Sequence, residues 1–174
     1  MTTPTEPTAT SAGLIGIWAI DPARSSISFT APSRLGPQKG SFRAVAGELL
    51  ADAAGLQGRM TIDASSLRTG LPTRDWHLRS GTYFDARHHP QIEVRSVAIA
   101  PSEPRSTVIA DLRIRDTVLR IEAPVTVEML DAETMRVDGD VRVPLAEFRF
   151  WNPLSIIRGD VDVHGQLTLA RRVQ

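Results

Sequence analysis

Apolar and polar residues alternate with a period of two over most of this chain. Val108, Ala110, Leu112 and Ile114 alternate with Ile109, Asp111, Arg113 and Arg115. Leu119, Ile121, Ala123, Val125, Val127 and Met129 alternate with Arg120, Glu122, Pro124, Thr126, Glu128 and Leu130. Met135, Val137, Gly139, Val141 and Val143 alternate with Arg136, Asp138, Asp140 and Arg142, and Val161, Val163, Leu167 and Leu169 alternate with Asp162, His164, Gln166 and Thr168. A helix would repeat its apolar positions every three or four residues, and these segments do not. One apolar face and one charged face describe a half-buried antiparallel strand. The same signal is weaker in Ile15–Ile20, Ser25–Thr30, Arg43–Leu50, Gln57–Asp63 and Gln91–Ala100. Turn chemistry separates the segments at Asp21-Pro22, Gly36-Pro37, Asp52 to Gly55 and Pro101 to Pro104,. The pattern predicts an all-β chain of eight or nine strands.

Single-faced strands must bury their apolar faces together, either as a two-sheet sandwich or as a closed barrel. Eight strands close around an interior that is filled by side chains or that holds one small ligand. The inward positions are mostly Val, Ala, Leu, Ile and Gly, and aromatics make up 5% of the chain. Few rings are available to plug a centre, so a wide barrel calls for an apolar occupant. A narrower sandwich would fill its own core.

Arg68–Arg87 breaks the alternation. Within it, Thr73-Arg74-Asp75-Trp76-His77-Leu78-Arg79 predicts a short helix near residues 73–81, with Thr73 as its N-cap,. A long non-strand excursion in a β protein is often functional. Residues 1–13 have almost nothing to bury and are expected to form a disordered tail, with one folded domain over 14–172,.

Composition narrows the function. The chain of 174 residues has a formal net charge of zero, so no global field attracts nucleic acid or an anionic membrane,. Its basic residues, nearly all arginine, are scattered along the sequence. Cysteine is absent, which removes disulfides, thiolate catalysis and cysteine metal sites,. The first residues carry no signal-peptide pattern, and no window is apolar enough to span a bilayer as a helix. A cytoplasmic protein is the default. There is no Gly-x-Ser-x-Gly elbow, phosphate-cradling glycine loop or His-Glu-x-x-His motif, so the chain is not expected to be an enzyme.

Several ordered stretches carry a family resemblance. They begin with Trp18-Ala19-Ile20-Asp21-Pro22 and Ser26-Ile27-Ser28-Phe29, followed by Gly40-Ser41-Phe42-Arg43 and Gly47-Glu48. Next come Ser66-Leu67-Arg68-Thr69-Gly70, Arg74-Asp75-Trp76-His77-Leu78-Arg79-Ser80, Tyr83-Phe84-Asp85 and His89-Pro90-Gln91-Ile92. With these the chain resembles the YceI family from about Gly16 to Leu169. The resemblance implies a single antiparallel, roughly eight-stranded lipocalin-like barrel. Its tunnel would hold a long amphiphile: an isoprenoid, a quinone or a fatty-acid-like lipid. It also allows a homodimer. Two positions depart from the family pattern: Asp116 stands where Gly is usual, and the Val143–Trp151 stretch lacks the usual arginine.

The expected ligand-binding residues are Arg74, Asp75, Trp76, His77, Leu78, Arg79, Tyr83 and Phe84 on the excursion, with Phe29, Phe42 and Phe148 from the strands. Arginines at the tunnel mouth suit a phosphate head group; alternatively, Arg74 and Asp75 form an ion pair that pins the excursion. The aromatics either line the tunnel or pack in the core. Other readings are a metal-dependent enzyme or redox protein using His77, Asp85 and His88 or His89, and an interaction module with a filled core. His164 falls on a polar strand face and reads as solvated.

Overall fold

The computed structural model describes residues 13–102, 104–150 and 159–173. The proposed tail therefore lies outside the described residues except for Gly13, as does Trp151. Among the described residues there are ten strands: β1 (Gly16–Ile20), β2 (Ser26–Ala31), β3 (Gln38–Phe42), β4 (Val45–Asp52), β5 (Gly55–Asp63), β6 (Gln91–Ala100), β7 (Ser106–Ile114), β8 (Thr117–Met129), β9 (Thr134–Pro144) and β10 (Asp160–Arg171). Helix α1 (Pro72–Arg79) belongs to the excursion between β5 and β6.

All pairings are antiparallel, and the sheet closes through β1, β4, β5, β6, β7, β8, β9 and β10 back to β1. β1 and β2 occupy successive stretches of the same edge of β10: Ile20 sits opposite Leu169 and Ser26 opposite Gln166. They form one interrupted stave, broken at Pro22–Arg24, where the Asp21 side chain accepts the Ala23 N–H. β3 pairs with β2, and β4 with β1. They form a second broken stave, and its bend is held by Ser66 Oγ, which accepts the N–H groups of Arg43 and Ala44. Ten strands thus make an eight-stave barrel.

Strand β3 was not anticipated, and Gly40 explains why. A Cβ at Gly40 would lie 2.3 Å from the Phe29 ring, so the cross-strand partner fills the space that a side chain would take. That leaves no alternation to read. In β6 the register slips between Ser96 and Ala98, and this bulge puts Ser96 and Ile99 on the same inner wall,. The β8–β9 ladder covers Val125–Met129 and begins directly after Pro124. Proline lacks the N–H a ladder needs and belongs at such an end.

Inward residues are those the alternation selected. Yet many are only half-buried, among them Val108, Ile121, Ala123, Val125, Val137 and Val163. A filled core would bury them. Full burial concentrates around Trp18, Val45, Leu67 and Met135.

Candidate functional site

The inner walls enclose an apolar cavity of about 990 Å³ that runs the length of the barrel. The filled-core alternative is therefore overturned: small side chains on a closed eight-stave ring leave the middle empty. Gly139 and Gly165 face each other in register across β9 and β10, and Gly58, Ala110 and Ala123 add further small positions to the wall. β8 alone has 13 residues. At about 3.4 Å per residue and a tilt of about 40°, the tunnel is roughly 30 Å long. Val127 and Met129 line the lumen yet are 40% and 45% exposed, so the end away from α1 is open.

The other end lies beneath α1. There Phe29 meets Phe42 at 5.8 Å between ring centres, Phe42 meets Phe84 at 5.7 Å edge-on, and Phe84 meets Phe150 at 5.4 Å. Tyr83 packs 6.0 Å from Phe150 and 5.2 Å from His77. Burial raises the Tyr83 hydroxyl pKa above its ordinary value.

Helix α1 starts with Pro72 at its first position, where a missing N–H costs nothing,. Leu71 occupies the N-cap without a side-chain bond, so Thr73 is not the cap: it sits one residue inside the helix. Asp75 is buried, and its Oδ1 accepts the Thr69 N–H at 2.7 Å and the Thr69 hydroxyl at 2.5 Å. Burial would raise its carboxyl pKa, but the Thr69 hydrogen bonds and the charges of Arg79 and Arg68 outweigh that and hold it below the usual value,. Arg79 donates to the Leu67 carbonyl and lies 3.7 Å from Asp75. Arg74 donates through Nε to Thr69 Oγ1 and through Nη2 to the Thr69 carbonyl, both at 2.8 Å, and through Nη1 to Gln38. Each nitrogen of Arg74 is engaged by protein. Ser41 and Arg68 exchange backbone hydrogen bonds at 2.8 Å, which ties the excursion to β3.

The structure thus divides the expected site residues. Arg74, His77, Leu78, Tyr83, Phe84, Phe29 and Phe42 line the cavity. Asp75 and Arg79 instead anchor the excursion, and Phe148 is buried behind Phe150, 6.2 Å away. Trp76 lies outside the tunnel, 73% exposed, on the face of α1 turned away from Leu78. Arg74 and Asp75 are joined through Thr69 rather than by a direct ion pair. The lining also includes Gln38, Thr69 and Ser96, which sequence reasoning missed. Ser96 Oγ accepts the Gly58 N–H at 2.7 Å, placing a hydroxyl midway along an apolar wall. No periodicity marks them: Ser96 sits at a bulge, Thr69 on the excursion and Gln38 at the start of the unanticipated β3.

Among the described residues, no three His, Asp or Glu side chains converge as a metal-binding set. His88 bonds Asp85 at 2.9 Å, His89 turns toward Asp116, and His77 packs on Tyr83. Hydrogen bonding from His88 and nearby positive charge lower the Asp85 pKa. The residue with positive φ in the β7–β8 turn is Arg115, at 56°, so Asp116 in place of a glycine brings no strain. His164 is exposed as expected, 2.9 Å from Asp140.

A family model, the YceI-like domain, matches residues 18–169. The chain belongs to the YceI-like family. Its fold is shared by BcnA from Burkholderia cenocepacia, at 26% identity and TM-score 0.77 over 86% of this chain and 98% of that one. It is also similar to a polyisoprenoid-binding domain from Saccharophagus degradans implicated in plant cell wall breakdown, at 16% identity and TM-score 0.74 over 89% and 98% of the two chains. The YCEI protein of Campylobacter jejuni aligns at 18% identity and TM-score 0.62, over 78% and 85%. No curated protein matches the sequence. Among the described residues of this YceI-like chain, no helix is long and apolar enough to cross a membrane, which leaves membrane-crossing strands unaddressed.

Proposed function

We propose that this YceI-like protein is a non-catalytic binding protein that holds one long-chain lipid, an isoprenoid or similar amphiphile, in its tunnel. The unfilled apolar lumen carries this reading. Burial of hydrocarbon contributes about 0.8 kcal/mol per CH₂, so a chain running the tunnel offers ample driving force before its ordering entropy is subtracted. The polyisoprenoid-binding description of the Saccharophagus domain supports the same ligand class.

The head group in this reading is neutral. A diphosphate needs free, charge-assisted donors. Arg74 is the cation at the helix-end lining, and its three nitrogens already bond Thr69 and Gln38. The rings of Phe29, Phe42, Phe84 and Tyr83 offer apolar faces to an uncharged group. Lipid extracted from purified protein and identified by mass spectrometry tests the function. Recovery of a long-chain lipid at near one per chain is expected; an empty extract together with failure to take up an added polyprenol would overturn it. Competition between a polyprenol and its diphosphate tests the head group: the alcohol should bind at least as tightly, and a tenfold preference for the diphosphate would sink the neutral assignment.

A further inference from the structure

Although the chain is neutral overall, its charge is distributed unevenly in space. Two of the segments at the helix-covered end, 32–39 and 64–90, carry six basic residues (Arg34, Lys39, Arg68, Arg74, Arg79 and Arg87) against two acidic ones (Asp75 and Asp85). Asp75 is buried and Asp85 is bound to His88. The charges exposed in these two segments are Arg34, Lys39, Arg68 and Arg87, all positive, while at the same end Asp116, Glu147 and Asp160 are exposed acids and Arg149 an exposed base. Among the described residues, none of the first four has a carboxylate partner. The fold therefore brings four unpaired cations from separate segments to one end, where they outnumber its exposed acids.

The same end exposes large apolar side chains. Leu35 is 85% exposed, Trp76 73% and Leu71 53%. Leu35 also belongs to the tunnel lining, so the exposed apolar rim is continuous with the lumen. Its loop is tied to α1 through the Gln38–Arg74 hydrogen bond, and Leu71 and Trp76 flank or lie on that helix. Tryptophan and leucine ringed by arginine and lysine match the chemistry of a bilayer interface, with rings at head-group depth and cations over anionic phosphates. The opposite end also shows apolar residues, Ile15, Leu130 and Val173, but there Arg171 and Arg172 are paired with Glu133 and Glu48, and Asp52 and Asp131 add negative charge.

We propose that the α1 end of the barrel docks on an anionic lipid bilayer, inserting Leu35, Leu71 and Trp76 at the interface with Arg34, Lys39, Arg68 and Arg87 over the head groups, so that the helix-covered end of the tunnel faces the membrane. This goes beyond ligand binding and does not depend on what the tunnel holds. Co-sedimentation with vesicles tests it, comparing pure phosphatidylcholine with phosphatidylcholine containing about a third phosphatidylglycerol. The protein should pellet with the anionic vesicles and much less with the neutral ones. Arg34→Glu with Lys39→Glu should weaken binding by at least fivefold for each charge neutralised, about the effect of one basic residue near such a surface. Trp76→Ala with Leu71→Ser should weaken it about tenfold or more, and Leu130→Ser at the far end should leave it unchanged. Circular dichroism of each variant separates loss of docking from loss of fold. Equal binding to both vesicle types, an equal loss from Leu130→Ser, or binding to duplex DNA in preference to anionic vesicles would overturn the proposal.

Discussion

At the scale of single residues, Asp75 is the buried charge of the excursion. It accepts two hydrogen bonds from Thr69 and faces Arg79. Asp75→Ala leaves those donors unpaired, and we expect a loss of about 2–4 kcal/mol, read as a lower melting temperature. The pH dependence has a definite sign. Its folded pKa lies below the ordinary value of 3.8, so its stabilisation is complete above that value and is lost as pH falls through the folded pKa,. The gap between wild type and Asp75→Ala should be full at neutral pH and shrink in strong acid; a gap that widens in acid would contradict this. Gly47 is the second sensitive position. Its φ is 156°, and a Cβ there would lie 2.2 Å from the Arg59 carbonyl oxygen, a backbone atom that cannot rotate away. Gly47→Ala should destabilise by about 3 kcal/mol or more, measured by urea unfolding.

At the scale of elements, α1 has two unlike faces. Leu78 and Arg74 meet the tunnel, whereas Trp76 meets solvent. Trp76→Ala should change stability by no more than about 0.5 kcal/mol, against about 3–5 for Trp18→Ala in the core. Comparable losses from the two would show that Trp76 packs on protein. The strongly alternating strands β7, β8, β9 and β10 were legible because nothing interrupts their period. β3 was not, since Gly40 yields its space to Phe29; β6 was weakly legible, since its bulge shifts the inward phase between Ser96 and Ile99. The helix itself was legible in position, over Pro72–Arg79, but its start was misread. Thr73 has good capping chemistry, yet Pro72 takes the first helical position, so the cap falls on Leu71 and Thr73 lies inside the helix.

At the scale of the whole molecule, the lumen is the feature to perturb. Ala123 lines it from the β8 wall. Ala123→Trp points a large ring into empty space, so the protein should stay folded and lose bound lipid. Retention of lipid at wild-type stoichiometry would place the ligand elsewhere. Added ligand at about 100 times its Kd should stabilise the wild type by about 2.7 kcal/mol, raising its melting temperature by several degrees, and should do so far less in the variant.

The linear order of residues was enough to determine which positions face inward, because a strand assigns successive side chains to opposite faces regardless of what surrounds it. It therefore settled an all-β chain, an aliphatic interior and an excursion after β5. Whether the sheet would close, and around how much space, depended on register and bulges between strands far apart in sequence. So did the fate of each candidate site residue: the excursion's anchoring to β3 turned Arg74 toward Gln38 and Thr69, buried Asp75 and left Trp76 in solvent. The meeting of Arg34, Lys39, Arg68 and Arg87 at one end was equally invisible in the sequence, because loops distant along the chain become neighbours only when the barrel closes.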